Sequence, residues 1–393
     1  MTAAPDITAI REWLIAGARS AATPDAVMTE LCERVVASGI PVWRAAMFVR
    51  TLHPQIMGRR IEWRHDAGVM FGEASFEVFD TAAFRGSPVA AVYQEVRPLR
   101  LRLDGPEART FPQLDDLRAE GGTDYLAFPV EFSNGEVHVG TWVTRHPDGF
   151  TDRHCAALET LSAPLARVTE SYALRRTAIN LLDTYVGKEA GARILAGSIR
   201  RGFTETIRAV IWLSDMRGFT ALADSIPPAE LIAVLNRYFD CQVPVIQSHG
   251  GEVLKFMGDG LLAIFPLCAE ADPQGVCQAV LAAAAEVRQA VAALSDWPAS
   301  AEANAPRYGV ALHIGELLYG NIGAANRLDF TCIGPAVNLA ARLQGLAGGL
   351  GRMTLLSAEF ARHCGPGVVP LGEFALAGFR APQPVYGLAD ETG

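Results

Sequence analysis

The sequence lacks long hydrophobic runs and a leader-like N-terminus. Half of its 393 residues are hydrophobic, yet no run approaches the ~18 consecutive apolar residues that a membrane-spanning helix requires. The first residues, MTAAPDITAIREW, lack the basic start and apolar core of a signal peptide. These absences predict a soluble, cytoplasmic protein with no membrane partner.

Basic blocks and closely spaced cysteines are also missing. Lysine and arginine number 34 against 43 aspartates and glutamates, a net charge of −9. A protein that binds nucleic acid or an anionic membrane needs a cationic patch, so we expect neither partner. The seven cysteines are scattered and lack CxxC spacing, which favours reduced thiols over disulfides or a zinc site. The length and composition indicate two or three globular domains.

The most informative stretch is residues 209–265. It opens with AVIWL, an apolar run typical of a buried strand, which delivers Asp215 into a loop containing Gly218. We interpret Thr220 as the N-cap of the helix that follows, so that free backbone N–H groups face the loop. Such a helix start suits phosphate.

The same stretch ends in a predicted hairpin. Apolar VLKFM and LLAIF flank the turn Gly258-Asp259-Gly260, which places a second carboxylate, Asp259, at a strand end. Two carboxylates beside a phosphate-binding helix start can hold Mg²⁺ on a triphosphate.

SDMRGFT followed about forty residues later by KFMGDG resembles the catalytic core of the class III adenylate/guanylate cyclases, over roughly residues 207–388. The resemblance implies an α+β fold with a ferredoxin-like βαββαβ core. It also implies that Asp215, Asp259 and the carbonyl of Met216 hold two Mg²⁺ or Mn²⁺ ions per active site. Amides near Gly218, Phe219 and Thr220 would then cradle the phosphates of the substrate.

The remaining candidates bind the base and the ribose. Lys255 interrupts an apolar strand, where burial of a lysine is costly unless it reaches solvent or a partner. In the family, a lysine and a residue at the position of Thr331 select adenine. Asn338 and Arg342 lie four apart on one face of a predicted helix, and the resemblance assigns them to the ribose and to the α-phosphate charge. A lysine donates to an adenine ring nitrogen, whereas guanine presents an N–H there. We therefore expect an ATP-specific adenylate cyclase of the threonine subgroup.

The resemblance also implies a homodimer. In the family, the aspartates come from one protomer and the lysine, threonine, asparagine and arginine come from the other. This chain holds one copy of each set, so two chains would form two equivalent sites.

Several departures from the family pattern keep alternatives open. Ala377 stands where a phosphate-binding lysine is usual, with Arg380 three residues away. Gly315-Glu316 stands where some relatives carry a phosphate-contacting arginine, and Pro335 replaces a polar residue. The alternatives are a guanylate cyclase and a catalytically weak nucleotide-binding regulatory protein. Gly250-Gly251-Glu252 is similar to the diguanylate cyclase signature, but it precedes the strand instead of forming the turn.

The N-terminal part carries no catalytic constellation. Residues 1–154 read as helix, antiparallel strands and helix, with a hairpin at Asn134-Gly135. The pattern resembles a GAF-type regulatory domain that binds a small molecule or a protein. Three of its tryptophans are core residues or the lining of a ligand pocket: Trp43, Trp63 and Trp142.

A helical linker is predicted at residues 155–204, before a catalytic domain at 205–393. An apolar stripe along it pairs with a second copy or packs on its own domain, with a kink at Pro164. The stripe consists of Leu158, Leu161, Leu165, Val168 and Tyr172.

Overall fold

The computed structural model describes residues 5–268, 270–294 and 306–391, which form two compact units, Met1–Thr184 and Tyr185–Gly393. Both units mix helices with mainly antiparallel strands, so the predicted α+β class is confirmed. Within the described ranges, no helix combines the length and apolar character needed to cross a membrane.

Unit 1 is a six-stranded sheet with helices. The sheet order is β3-β2-β1-β6-β5-β4. Two short 3₁₀ turns, Ala108–Thr110 and Pro112–Leu114, precede α6. Its elements are α1 (Thr8–Ile15), α2 (Pro24–Ala37), β1 (Arg44–Arg50), β2 (Ile56–Arg64), β3 (Gly68–Ser75), α3 (Phe76–Asp80), α4 (Ala82–Arg85), α5 (Pro88–Glu95), β4 (Leu99–Arg102), α6 (Asp115–Ala119), β5 (Asp124–Glu131), β6 (Val137–Thr144) and α7 (Asp152–Tyr185).

The predicted hairpin of unit 1 is confirmed, and the helix before the sheet has a side-chain cap. Strands β5 and β6 pair antiparallel across Asn134-Gly135, and Gly135 has the positive φ, 84°, that such a turn favours. Helix α2 begins at Pro24 with Thr23 as N-cap, whose side chain accepts from the backbone N–H of Ala26. The three tryptophans are all buried in the packed core, as the first of the two interpretations expects.

The apolar stripe on helix α7 packs within unit 1. Leu158, Leu161, Leu165 and Val168 are buried in the core of that unit, so the stripe packs on its own domain. The helix continues through Pro164, although proline has no N–H to donate to the helix ladder, and buried stripe residues lie on both sides of it.

Unit 2 is built on an eight-stranded sheet. Its main path runs β13-β14-β12-β10-β7-β9-β8, and β11 pairs with β10. Its elements are α8 (Lys188–Leu195), β7 (Thr204–Met216), α9 (Phe219–Ser225), α10 (Pro228–Ser248), β8 (Glu252–Met257), β9 (Gly260–Leu267), α11 (Pro273–Ala292), β10 (Tyr308–Ala324), β11 (Arg327–Ile333), α12 (Pro335–Leu346), β12 (Thr354–Ser357), α13 (Ala358–Ala361), β13 (Val368–Phe374) and β14 (Gln383–Leu388).

The central strand β7 is covered on both faces, which explains its unbroken apolar sequence. Val210 and Trp212 point into the cluster formed with α10 and α11. Ala209, Ile211 and Leu213 point to the opposite face, into the cluster that contains residues of α12. Side chains alternate across a strand, so a strand buried on both sides must be apolar at every position. The polar residues that follow at its end are therefore conspicuous.

Candidate active site

Asp215 and Asp259 lie together at adjacent strand ends. Asp215 is the penultimate residue of β7, and Asp259 lies in the two-residue turn that joins β8 to β9. Gly258 has the positive φ, 68°, that such a turn favours at its first central position. The predicted hairpin is confirmed, and it brings the two carboxylates within hydrogen-bonding reach of each other.

The carboxylate pair is electrostatically strained. Burial, followed by the charge and hydrogen bond of Asp259, raises the pKa of Asp215 to about 6. Two carboxylates that share one site cannot both ionise without a compensating cation. Gly260 permits this approach, since a Cβ there would lie 3.2 Å from Oδ1 of Asp215 and 3.1 Å from the carbonyl oxygen of Ser214.

Two donors partly offset that strain. The backbone N–H of Met216 and the side-chain amide of Gln344 hydrogen-bond to Asp215 and act to lower its pKa. Gln344 lies on α12, far along the chain, and no local pattern distinguishes it from other helical glutamines. Met216 is buried and pairs with Tyr308 of β10.

The loop after Asp215 leads into a short helix whose cap was predicted wrongly. Helix α9 begins at Phe219 with Gly218 as N-cap, in a left-handed conformation with φ of 73°. Thr220 is therefore the second helical residue and forms no cap. Glycine adopts a left-handed conformation without strain, so Gly218 ends the strand-to-helix turn earlier than Thr220 would. The first amide bonded within the helix is that of Leu222, to the carbonyl of Gly218, which leaves the amides of Phe219 and Thr220 without an intrahelical acceptor.

Lys255 forms an ion pair with Asp329, which was not among the residues predicted from the sequence. Its Nζ lies 3.2 Å from Oδ2 of Asp329 on β11, and about a third of the lysine side chain is exposed. Asp329 and Thr331 are two residues apart on that strand, so their side chains share a face. Thr331 is buried, and its Oγ1 has no hydrogen-bond partner among the described residues. Strands β8 and β11 are not paired in the sheet, but the contact between Lys255 and Asp329 links them, two residues from this unsatisfied hydroxyl.

Asn338 and Arg342 project from the outer face of α12. Both are exposed, whereas Ala336, Ala340 and Leu343 pack on the sheet. Arg342 precedes Gln344 by two residues, about 200° around the helix. Because Gln344 turns toward Asp215, Arg342 points away from the aspartates of its own protomer.

The residues that depart from the family pattern lie on different elements of unit 2. At Gly315, a Cβ would lie 2.9 Å from the Cβ of Ala336 on α12 and 2.8 Å from Nε2 of His313, so helix packing favours glycine there. Glu316 pairs in register with Arg208 of β7. Ala377 and Arg380 lie exposed in the loop between β13 and β14. Pro335 is the first residue of α12, a position that tolerates proline.

No group of three or more His, Cys, Asp or Glu side chains with metal-binding geometry occurs in the described ranges. The candidate metal ligands therefore amount to the Asp215–Asp259 pair and backbone oxygens near it.

Comparison with known proteins finds a family model that matches the part of the chain containing this site. Residues 204–360 match the family model of the adenylate and guanylate cyclase catalytic domain. An adenylate cyclase of Anabaena cylindrica is 31% identical over 170 residues, which is 42% of this chain and 32% of that protein. Adenylate cyclase 1 of Rhizobium meliloti (strain 1021) is 27% identical over 240 residues, 59% of this chain and 34% of that protein.

A solved structure is similar to about half of this chain. An adenylyl cyclase from P. aeruginosa is 27% identical with a TM-score of 0.43, over 48% of this chain and 97% of that one. This chain spans about a third of the length of the curated relatives named above. Over residues 204–360, the chain is therefore similar to the catalytic domain of adenylate and guanylate cyclases.

Proposed function

We propose that this protein converts ATP to 3′,5′-cyclic AMP and pyrophosphate at a site shared by two copies of the chain. The observation that carries the proposal is the pairing of the strained carboxylates, Asp215 and Asp259, with a separate base-binding set around Lys255 and Thr331. One set fits a metal–triphosphate, and the other fits a purine.

The carboxylate pair fits divalent cations. Burial, followed by the charge of Asp259, raises the pKa of Asp215, and a bound cation would favour the ionised form against both effects. Carboxylate oxygens are ligands that Mg²⁺ and Mn²⁺ prefer. Asp215, Asp259 and the carbonyl of Met216 would hold two such ions. When bound, they would activate the ribose 3′-hydroxyl and neutralise charge on the phosphates.

The base-binding residues favour adenine. Lysine carries three N–H donors, so Lys255 can keep Asp329 and also donate to an adenine ring nitrogen. The unsatisfied Oγ1 of Thr331 gains a partner when it hydrogen-bonds to the base, which removes the cost of a buried, unpaired hydroxyl.

The remaining residues act on the ribose and the phosphates. Asn338 orients the ribose, and Arg342 stabilises the charge that develops on the α-phosphate. The unpaired amides near Gly218, Phe219 and Thr220 bind phosphate oxygens.

The directions of these groups support the proposed homodimer. Asn338 and Arg342 face solvent on the side of α12 opposite to the Gln344 contact. A second protomer can place its own outward-facing pair over Asp215 and Asp259, and two-fold symmetry then completes two equivalent sites. The strand order β10-β7-β9-β8, with helices between the strands, supports the proposed ferredoxin-like βαββαβ core.

Unit 1 is the regulatory part in this proposal, as a GAF-like domain in a cytoplasmic signalling protein, with the segment 155–204 as transducer and 205–393 as catalytic domain. A protein that starts at Leu182 should then differ from the full chain in cyclase activity. Equal activity of the two would remove the regulatory role.

The direct test measures products from ATP and from GTP, with Mg²⁺ or Mn²⁺, for the natural protein and for Asp259→Ala. Cyclic AMP from ATP alone, lost in the variant, supports the proposal. Cyclic GMP from GTP would instead identify a guanylate cyclase, against the assignment of Lys255.

One observation favours a second candidate, a nucleotide-binding regulator with weak catalysis. Ala377 leaves the loop after β13 without the usual phosphate-binding lysine, and the exposed Arg380 has no ion-pair partner among the described residues. Nucleotide binding without product from either triphosphate would favour this candidate.

A further inference from the structure

Unit 1 contains a cavity of about 540 Å³, within the range of roughly 300–1,000 Å³ of small-molecule sites. It lies between α2, α7 and the strands β1, β2 and β3. Most of its lining is aliphatic or aromatic, including Val27, Ile61, Phe71 and Val168. Trp43, Trp63 and Trp142 are not among the described residues that line it. The cavity therefore favours a ligand with a substantial apolar body.

The charged side chains that line the cavity are all positive. Arg50, Arg59, Arg175 and Arg176 line the cavity, and no described aspartate or glutamate does. Arg59 pairs with Glu73 at 2.8 Å, yet its Nε is buried without a partner. Across the part of the chain that the structure describes, the other three arginines form no ion pair. In a chain with a net charge of −9, such a concentration of unpaired cations calls for an anion.

We propose that this cavity binds an amphipathic anion, with a carboxylate-type head held by the arginines and an unbranched or aromatic apolar body inside. The guanidinium group matches a carboxylate through paired N–H donors. A nucleotide fits less well, because its base and ribose would place several polar edges against an aliphatic lining without partners. A medium-chain fatty acid has the required chemistry.

The site adjoins the element that leads to unit 2. Leu165, Val168, Tyr172, Arg175 and Arg176 all belong to α7, which continues to Tyr185, where unit 2 begins. Ligand binding thus contacts the helix that the proposed function treats as the transducer. Binding itself does not depend on cyclase activity, so the two proposals can fail separately.

Isothermal titration calorimetry on the full chain tests the site with three probes. Dodecanoate carries both the head and the body, dodecyltrimethylammonium carries the body with the opposite charge, and acetate carries the head alone. We expect saturable binding of dodecanoate, at least about tenfold tighter than that of either other probe, since charge-assisted hydrogen bonds add to apolar burial. Equal binding of the cationic detergent would overturn the charge assignment, and no binding of dodecanoate would overturn the site.

Two variants locate the binding. The double variant Arg175→Gln/Arg176→Gln should weaken dodecanoate binding by about tenfold or more, whereas Arg109→Gln, an exposed arginine elsewhere in unit 1, should leave it unchanged. Val168→Trp should fill the cavity and abolish binding, with circular dichroism to confirm that the variant is folded. If the double variant binds as tightly as Arg109→Gln, or if it changes only the oligomeric state, the surface is not an anion site.

Discussion

Arg217 donates a hydrogen bond of 2.7 Å from Nη2 to the carbonyl oxygen of Ala347. The same nitrogen also donates to the carbonyl of Arg352. Ala347 is the C-cap of α12, where unpaired carbonyls and the helix dipole favour a cation. This contact ties the loop after Asp215 to the end of the helix that carries Asn338 and Arg342.

Arg217→Ala should therefore destabilise unit 2. Loss of charge-assisted hydrogen bonds to buried carbonyls costs about 2 kcal/mol, or a fall of roughly 5 °C in the melting temperature of that unit. Thermal unfolding of the full chain, followed by differential scanning calorimetry, measures the change. Arg307→Ala is the matched control, because Arg307 is exposed and its charge only opposes that of Arg217. Equal melting temperatures for the two variants would contradict the assigned role.

Gln344 is expected to act as a positioning residue for Asp215. Gln344→Leu removes the amide donor but keeps much of the side-chain volume, so Asp215 loses one of its two donors. We expect cyclic AMP formation to fall by about tenfold, the equivalent of one hydrogen bond, with a raised requirement for Mn²⁺ or Mg²⁺. The matched change Gln278→Leu, at an exposed site of α11, should leave both unchanged. An unaltered metal requirement in Gln344→Leu would remove Gln344 from the site.

Asp215→Asn tests the electrostatic strain in the metal-free protein. The raised folded-state pKa means that ionisation of Asp215 opposes folding, and this penalty develops as pH rises from about 4 to about 6. At pH 7.5 the variant should be more stable than the natural protein, by roughly 1–2 kcal/mol. The advantage should vanish below pH 4, where Asp215 is protonated. Denaturant unfolding at the two pH values measures the difference.

The same variant has a second readout. Mn²⁺ should raise the melting temperature of the natural protein at pH 7.5, because the ion binds the folded state alone, and should have little effect on Asp215→Asn. An equal Mn²⁺-induced shift in both proteins would show that the cation binds elsewhere.

Features set by neighbouring residues could be predicted from the sequence. The apolar strand that leads to Asp215 and the turns at Asn134-Gly135 and Gly258-Asp259 each depend on a few adjacent residues. Thr220 shows the limit of such reasoning, because a threonine and a left-handed glycine two residues earlier compete for the same cap.

Features set by distant segments could not be predicted. Lys255 and Asp329 are 74 residues apart, and Arg217 and Ala347 are separated by 130. No local pattern links such pairs, since they meet only when the strands and helices pack. The arginines of the unit 1 cavity are scattered along the chain for the same reason.

The most direct test of the shared active site mixes two inactive proteins, Asp259→Ala and Arg342→Ala. Each variant alone should form almost no cyclic AMP, because both sites of its homodimer are damaged. After subunit exchange at equal concentrations, half of the dimers are mixed and each contains one intact site, so about a quarter of the natural activity should return. A mixture as inactive as its two components, with exchange shown independently by mass spectrometry, would contradict a site formed across two protomers.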